Sequence, residues 1–271
     1  MMFIVAHTHK QEAFFAGTIL LIASVLGVLF FANASFRFTV LDAYNSVFKF
    51  VITDRVLRDD ATVYSNLAYC NTDNPRQTLD LYVPKNAQQS KTKLVIFIHG
   101  GGWKAGDKSN QEVTYYGENF LKNNIAIASL NYRLFPEVTY PEPNDDISCA
   151  IKYLSAHVGE YGIINDKWTI FGDSAGAQLG AYAMSDPAVN QSLQLFVGFY
   201  GPYDLPRQIN RVGKGDGDAW NYTNKGRDAR IASPIYREPR KGATYMLFHG
   251  RNDRVVSLYQ SESFAKNLTS D

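Results

Sequence analysis

The sequence has almost no excess of either charge. Its 271 residues include 27 Lys and Arg against 26 Asp and Glu, a formal net charge of +1. A chain without a basic surplus lacks the long-range field that steers nucleic acid towards a protein, so we expect no nucleic-acid partner. The hydrophobic share of 45% is ordinary for a globular chain and excludes a largely disordered protein. At this length we expect one α/β domain, since such domains commonly run to roughly 200–250 residues.

Cysteine is also scarce, and its spacing does not suit a metal site. Cys70 lies near a turn, and Cys149 lies among apolar residues of a predicted helix. The apolar surroundings favour a buried, unreactive thiol at Cys149. A disulfide between the two is the less favoured interpretation, because sequence does not show how far apart they lie.

The N-terminus contains a long stretch without charge. Residues 13–32 carry no charged side chain and are rich in Leu, Ile, Val and Phe. Twenty helical residues span about 30 Å, the thickness of a bilayer core, which predicts an uncleaved membrane anchor within residues 1–35. The alternative is a signal peptide cleaved near Ala32-Asn33-Ala34, giving a secreted protein. We expect residues 36–60 to form an amphipathic helical linker and the following domain to be periplasmic or extracellular, although the basic residues after the span argue for the cytosol.

Residues 61–271 alternate between strand and helix patterns. Residues 78–84 read as a half-exposed strand ended by Pro84. Short continuous apolar runs predict strands buried on both faces at residues 94–98, 125–130, 168–171, 195–200 and 244–248. Helical patterns separate several of them, at residues 143–154 and 175–184. This order predicts an α/β fold with a mostly parallel central sheet flanked by helices, whose site lies at the carboxyl ends of the strands.

A serine stands at the junction of one predicted strand and helix, in the run Gly172-Asp173-Ser174-Ala175-Gly176. In Gly-x-Ser-x-Gly the chain turns sharply from strand to helix, so that the serine projects above the sheet, and the glycines make room for the turn. Ser174 is therefore the candidate nucleophile.

Consecutive glycines follow the strand at residues 94–98, in His99-Gly100-Gly101-Gly102-Trp103. Backbone amides in such a loop approach a ligand closely, and we assign Gly101, Gly102 and Ala175 as donors to an oxyanion. A nucleotide-phosphate loop is the rival interpretation, but the Gly-Lys-Ser/Thr ending is absent.

An acidic residue follows the last predicted strand. Asp253, in His249-Gly250-Arg251-Asn252-Asp253, is placed to orient a catalytic histidine. Asp204, after the strand at residues 195–200, is the alternative acid. The irregular residues 205–240 are aromatic enough to suggest a lid or substrate wall, with a plain surface loop as the alternative.

In these motifs and their order the chain resembles the α/β-hydrolase superfamily, close to the hormone-sensitive-lipase-like and bacterial feruloyl and acetyl-xylan esterases. The resemblance covers about two thirds of the chain, from residues 75–84 to Gln260-Ser261, and includes Asn131-Tyr132-Arg133-Leu134 and Ala232-Ser233-Pro234. It implies a serine carboxylesterase acting on a small-molecule ester, with Ser174 as nucleophile and Asp253 as triad acid. It implies no metal and no organic cofactor.

One part of the family pattern is missing. The triad order on this fold is Ser, acid, His, yet the five histidines are His7, His9, His99, His157 and His249, all before Asp253. We therefore expect a C-terminally truncated domain that lacks the last strand, with little or no activity as the chain stands. The alternatives are a membrane-tethered binding protein of the same fold, or an amidase, peptidase or formamidase.

Overall fold

The structure, a computed structural model, describes residues 57, 60–87, 92–109, 111–189, 192–213 and 217–269. The predicted anchor at residues 1–35 and nearly all of the predicted linker at 36–60 lie outside the described residues. Among the helices of the described ranges, none has the length and apolar character needed to cross a membrane.

Seven strands form one sheet. They are β1 (Ala61–Ala68), β2 (Thr78–Pro84), β3 (Lys93–Ile98), β4 (Ile125–Leu130), β5 (Trp168–Asp173), β6 (Leu193–Phe199) and β7 (Thr244–Phe248). The spatial order is β1-β2-β4-β3-β5-β6-β7. Strand β2 runs antiparallel to β1 and β4, and all other neighbours are parallel. The predicted mostly parallel sheet is confirmed.

Helices connect these strands and cover both faces of the sheet. They are α1 (Gln111–Lys122), α2 (Glu142–His157), α3 (Ala175–Met184), α4 (Leu205–Val212), α5 (Asp218–Tyr222) and α6 (Tyr259–Leu268), with 3-10 turns at Val158–Tyr161 and Pro234–Tyr236. Successive strand residues point to opposite faces. Ile96 and Ile170 accordingly belong to a core with Leu179 of α3, while Phe97 packs on the other side in a core with Val113 of α1.

Strand β7 is not buried on both faces, as its apolar sequence had predicted. It pairs with β6 and lies at the sheet edge, and no other strand of the described residues adjoins it. The side chains of Met246 and Phe248 are 44% and 43% exposed. The prediction was wrong because an apolar run indicates a strand but does not show whether another element covers it.

The two cysteines form a disulfide, so the prediction of an unpaired thiol at Cys149 was wrong. Cys70 follows β1 and Cys149 lies within α2, with their Cα atoms 5.8 Å apart and a sequence separation of 79. The fold brings the two together because α2 packs beside the loop that joins β1 to β2, where the Cys149 sulfur also contacts the carbonyl of Tyr69.

Candidate active site

Ser174 occupies a strained turn between β5 and α3. Its φ is +48° and its ψ is −117°, a conformation that residues other than glycine rarely adopt. Its backbone N–H donates to the carbonyl of Phe199, 2.9 Å away, at the end of the neighbouring β6. The backbone therefore has the sharp strand-to-helix turn that the motif predicts, at the carboxyl end of the sheet.

The flanking glycines are required because other backbone atoms lie against them. A Cβ atom on Gly172 would lie 2.6 Å from the carbonyl oxygen of Gly176. A Cβ on Gly176 would lie only 2.0 Å from the carbonyl oxygen of Ile98, at the end of β3. The turn and the helix that follows it can approach the sheet this closely only without side chains.

The glycine loop after β3 also needs its glycines. Gly101 and Gly102 have φ values of +113° and +62°, and a Cβ on Gly102 would lie 2.4 Å from a carboxylate oxygen of Asp218. Among the loop and turn backbone hydrogen bonds of the described residues, none is donated by the amides of Gly101 and Gly102. The role of these amides and of Ala175 as oxyanion donors stays a prediction.

A buried carboxylate fastens the glycine loop to the nucleophile strand. Asp173, directly before Ser174, accepts a hydrogen bond of 2.9 Å from the amide of Gly100. Strands β3 and β5 are neighbours in the sheet, with Ile98 opposite Gly172. The loop and the serine are thus held side by side by strand pairing and by this bond.

His99 supports the loop from below. Its ring is fully buried, stacks on Tyr132 at 4.4 Å between centroids, and bonds through Nδ1 to the carbonyl oxygen of Gly100 at 2.6 Å. Burial lowers the pKa of His99 from 6.5 to about 4. The imidazole is therefore neutral near pH 7 and its Nδ1 carries the proton, because a carbonyl can only accept.

The lowered pKa of His99 predicts an acid-sensitive fold. Between pH 6.5 and 4 the unfolded chain binds a proton at this residue that the folded chain does not, so the free energy of unfolding falls as pH falls through this window. The full effect is about 3 kcal/mol. We expect urea unfolding at pH 7, 5.5 and 4.5 to show a smaller acid-induced loss in His99→Asn than in the wild type.

The half-buried His157, at the end of α2, provides the control. His157→Asn should retain the acid-induced loss of the wild type. An unchanged loss in His99→Asn would mean that other groups cause the acid sensitivity.

Asp253 lies in the loop after β7. Its Oδ1 accepts the amides of Val255 (2.8 Å) and Val256 (2.9 Å), and its Oδ2 is 3.6 Å from Nε2 of His249. The alternative acid, Asp204, instead caps α4 by accepting the amide of Arg207 at 3.1 Å. Both carboxylates accept amides of their own loops, so the choice of Asp253, which rests on chain order, stays a prediction.

No histidine of the described ranges is hydrogen-bonded to Ser174. His249 bonds through Nδ1 to the hydroxyl of Ser261 and through Nε2 to the carbonyl of Val256, and only 2% of its side chain is exposed. His157 bonds to the carbonyl of Tyr153. These bonds hold His249 and His157 to groups other than Ser174.

A cavity of about 100 Å³ opens beside Ser174 and Gly102. Apolar side chains supply most of its wall: Trp103, Ile209, Val212, Trp220, Val255 and Val256. Helices α4 and α5, from the segment predicted as irregular, thus form part of the wall of this cavity. Gly101, Ala175 and Asp253 are not among the lining residues.

Gln178 joins three parts of the site, and sequence reasoning missed it. It lies one helical turn after Ser174 and is fully buried. Its Oε1 accepts the indole N–H of Trp103 at 2.9 Å, and its Nε2 donates to the carbonyl of Ala232 at 2.7 Å. Trp103 in turn stacks on Tyr222 of α5 with centroids 4.4 Å apart. The only sequence signal for this role is the position of Gln178 one turn after the serine.

In the described ranges, no cluster of three or more His, Cys, Asp or Glu residues is arranged so that it could hold a metal ion. The described groups at the site are a serine hydroxyl, backbone amides and a carboxylate. This set suits nucleophilic acyl transfer.

The chain is similar in sequence to several proteins named as esterases. The chain is 27% identical to the esterase LipC of Mycobacterium tuberculosis over 72% of this chain and 53% of that protein. It is 25% identical to the isoprenylcysteine alpha-carbonyl methylesterase ICME of Arabidopsis thaliana over 72% of this chain and 50% of that protein. The chain therefore spans about half the length of these relatives.

Solved structures share the fold. Esterase B from Lactobacillus rhamnosis superposes with a TM-score of 0.64 at 23% identity, over 87% of this chain and 81% of that one. A truncated carbohydrate esterase from gut microbiota gives 0.68 at 22% identity, over 76% and 82%. Residues 79–268 match the BD-FAE family. Since this match extends from β2 to α6 and contains the whole candidate site, the chain belongs to the BD-FAE family of α/β-hydrolases.

Proposed function

We propose that this chain hydrolyses carboxylic esters through an acyl-enzyme on Ser174. The observation that carries the proposal is the positive φ of Ser174 at a strand-to-helix turn beside a cavity and a glycine loop. The naming of relatives as esterases supports the same reaction class.

The reaction would proceed in two steps. The Ser174 oxygen attacks the ester carbonyl carbon, and the amides of Gly101, Gly102 and Ala175 donate hydrogen bonds to the oxyanion. The alcohol leaves with a proton, and water then attacks the acyl-serine and releases the acid. Asp253 would orient and stabilise the base that moves these protons.

The base is the weak part of the described site, because no described histidine bonds to Ser174. Losing a triad histidine costs on the order of a millionfold in kcat in a serine protease. Transition-state binding alone retains roughly a thousandfold over water. We therefore expect slow turnover by the 271-residue chain.

The size of the cavity favours small acyl groups. Its volume of about 100 Å³ is below the roughly 150 Å³ of a cavity that accepts benzene. We expect acetyl and butyryl esters to be better substrates than long-chain esters.

The test is the behaviour of Ser174→Ala. We expect the wild-type chain to react with a fluorophosphonate probe and to form an acyl-enzyme slowly from p-nitrophenyl acetate, and Ser174→Ala to do neither because no acyl or phosphonyl acceptor remains. Ser263→Ala, which changes a serine on α6, is the matched control and should keep wild-type behaviour. Labelling or acyl-enzyme formation that persists in Ser174→Ala would contradict the proposal.

A non-catalytic binding protein is the second candidate. It is favoured by the absence of a described histidine on Ser174, since a binding cavity needs no proton carrier. A wild-type chain that binds esters but does not react with the probe would establish it. An amidase or peptidase would react with the probe yet prefer amide over ester substrates.

A further inference from the structure

Gln208, on α4, lies in the wall of the cavity beside Ser174 and is only 7% exposed. Its Nε2 donates to the carbonyl oxygen of Val255 at 2.9 Å. A carbonyl can only accept, so this bond fixes which end of the amide is nitrogen. The other end is therefore an oxygen, Oε1, with two lone pairs to satisfy.

That oxygen has no hydrogen-bond partner among the described residues, and it is closed from bulk solvent. Buried polar side-chain atoms are mostly paired. Leaving an acceptor unpaired costs about 1–3 kcal/mol. A solitary unsatisfied acceptor in a cavity wall is the kind of group that a ligand satisfies.

The rest of the wall sharpens this assignment. Five of the side chains near Gln208 are apolar: Ile209, Val212, Trp220, Val255 and Val256. Small-molecule sites typically combine such apolar walls with a few placed polar groups that confer specificity. The one described carboxylate in the lining, Asp218, is paired with Lys104 at 2.6 Å and lies against Gly102. The amide of Gln208 is thus the neutral polar side chain of the wall, apart from Ser174, that could form a hydrogen bond with a bound ester.

We infer that Gln208 selects esters that carry a hydrogen-bond donor, a hydroxyl or an N–H, on the portion that enters this cavity. This inference rests on the proposed function. Because Oε1 is covered in this structure, the inference requires that side chains of the wall move when such an ester binds. An ester without the donor leaves the acceptor unpaired and should bind more weakly.

The hydrogen-bond donor belongs either to the acyl group or to the alcohol of the ester. Two pairs of esters, each differing by one hydroxyl group, distinguish these possibilities. Ethyl 3-hydroxybutyrate and ethyl butyrate differ in the acyl group, while 3-hydroxypropyl butyrate and propyl butyrate differ in the alcohol. Binding is measured by isothermal titration with the Ser174→Ala chain, which does not consume the esters. We expect one hydroxylated ester to bind about tenfold more tightly than its partner, the effect of roughly one net hydrogen bond.

Variants at Gln208 link the preference to this residue. Gln208→Met, introduced into the Ser174→Ala chain, should abolish the preference, because the acceptor is gone while the side-chain length is kept. Gln260→Met is the control, since both amide atoms of this buried glutamine are bonded to Asp204, and it should bind both esters as the parent does.

The inference is overturned if the Ser174→Ala parent binds both members of each pair equally, or binds none of the esters. It is also overturned if Gln208→Met, shown to be folded by circular dichroism, keeps the preference. If Gln208→Met does not fold, the comparison in the parent decides. Failure of the proposed function has a different signature, namely a preserved binding preference without Ser174-dependent labelling of the wild type.

Discussion

Replacing Gly176 by alanine is expected to lower the free energy of unfolding by about 3 kcal/mol or more and to abolish labelling of Ser174. The added methyl group would lie 2.0 Å from the carbonyl oxygen of Ile98 and 2.6 Å from that of His99. Overpacking costs typically 1–3 kcal/mol, and the upper end applies because both contacts are with backbone that cannot rotate away. Helix α3 must then move from β3, taking Ser174 with it.

Gly159 offers a matched control in the same domain. A Cβ at Gly159 would have no neighbour within 4 Å. Gly159→Ala should therefore change the free energy of unfolding by no more than about 0.5 kcal/mol, as surface substitutions usually do. Thermal unfolding and fluorophosphonate labelling of both variants provide the comparison. A Gly176→Ala chain as stable and as reactive as Gly159→Ala would show that the site has more room than the geometry indicates.

Reducing the disulfide is expected to destabilise the fold by up to about 4 kcal/mol. The bond between Cys70 and Cys149 closes a loop of 79 residues, and the entropy removed from the unfolded chain grows with loop length. It also ties the β1–β2 edge of the sheet to α2. Urea unfolding of the oxidised and the reduced chain, at equal pH and salt, measures the difference.

The Cys70→Ser/Cys149→Ser double variant separates loss of the bond from other effects of reductant. It should unfold at the same urea concentration as the reduced wild type, and reductant should not change that concentration. Two titratable thiols in the untreated wild-type chain, or equal midpoints before and after reduction, would contradict the prediction.

Local sequence signals predicted the positions of the interior strands well, although β2 is buried along nearly its whole length and the prediction that it is half-exposed was wrong. The bounds of β2, β4 and β7 coincide with the predicted runs, because Pro84 or polar residues end each run sharply. Strand β1 was not predicted, since its exposure follows no simple alternation and its pairing with β2 shifts register between Tyr64 and Leu67. Helix α1, with its short and interrupted apolar stripe, was not predicted either.

At the site, the motif geometry was predictable and the side-chain partnerships were not. The backbone at Ser174, Gly101 and Gly102 follows from residue types whose conformational needs are local. The bond between Gln178 and Trp103 joins residues 75 apart in sequence, and the disulfide joins residues 79 apart. Such pairings depend on tertiary folding, which composition and spacing do not encode. The catalytic roles of Ser174, Asp253 and the oxyanion amides remain predictions.

The strand order also bears on how the chain can fold during its synthesis. From β3 outward, the sheet adds β5, β6 and β7 in the order in which they leave the ribosome. When each of these parallel strands is synthesised, the strand it pairs with is therefore already present. Domains generally fold from the N-terminus as they emerge from the ribosome. The serine turn after β5 can form on the β3–β4 pair before α4 and α5 exist. The part of the cavity wall that α4 and α5 supply is then added after the backbone around Ser174 is already set.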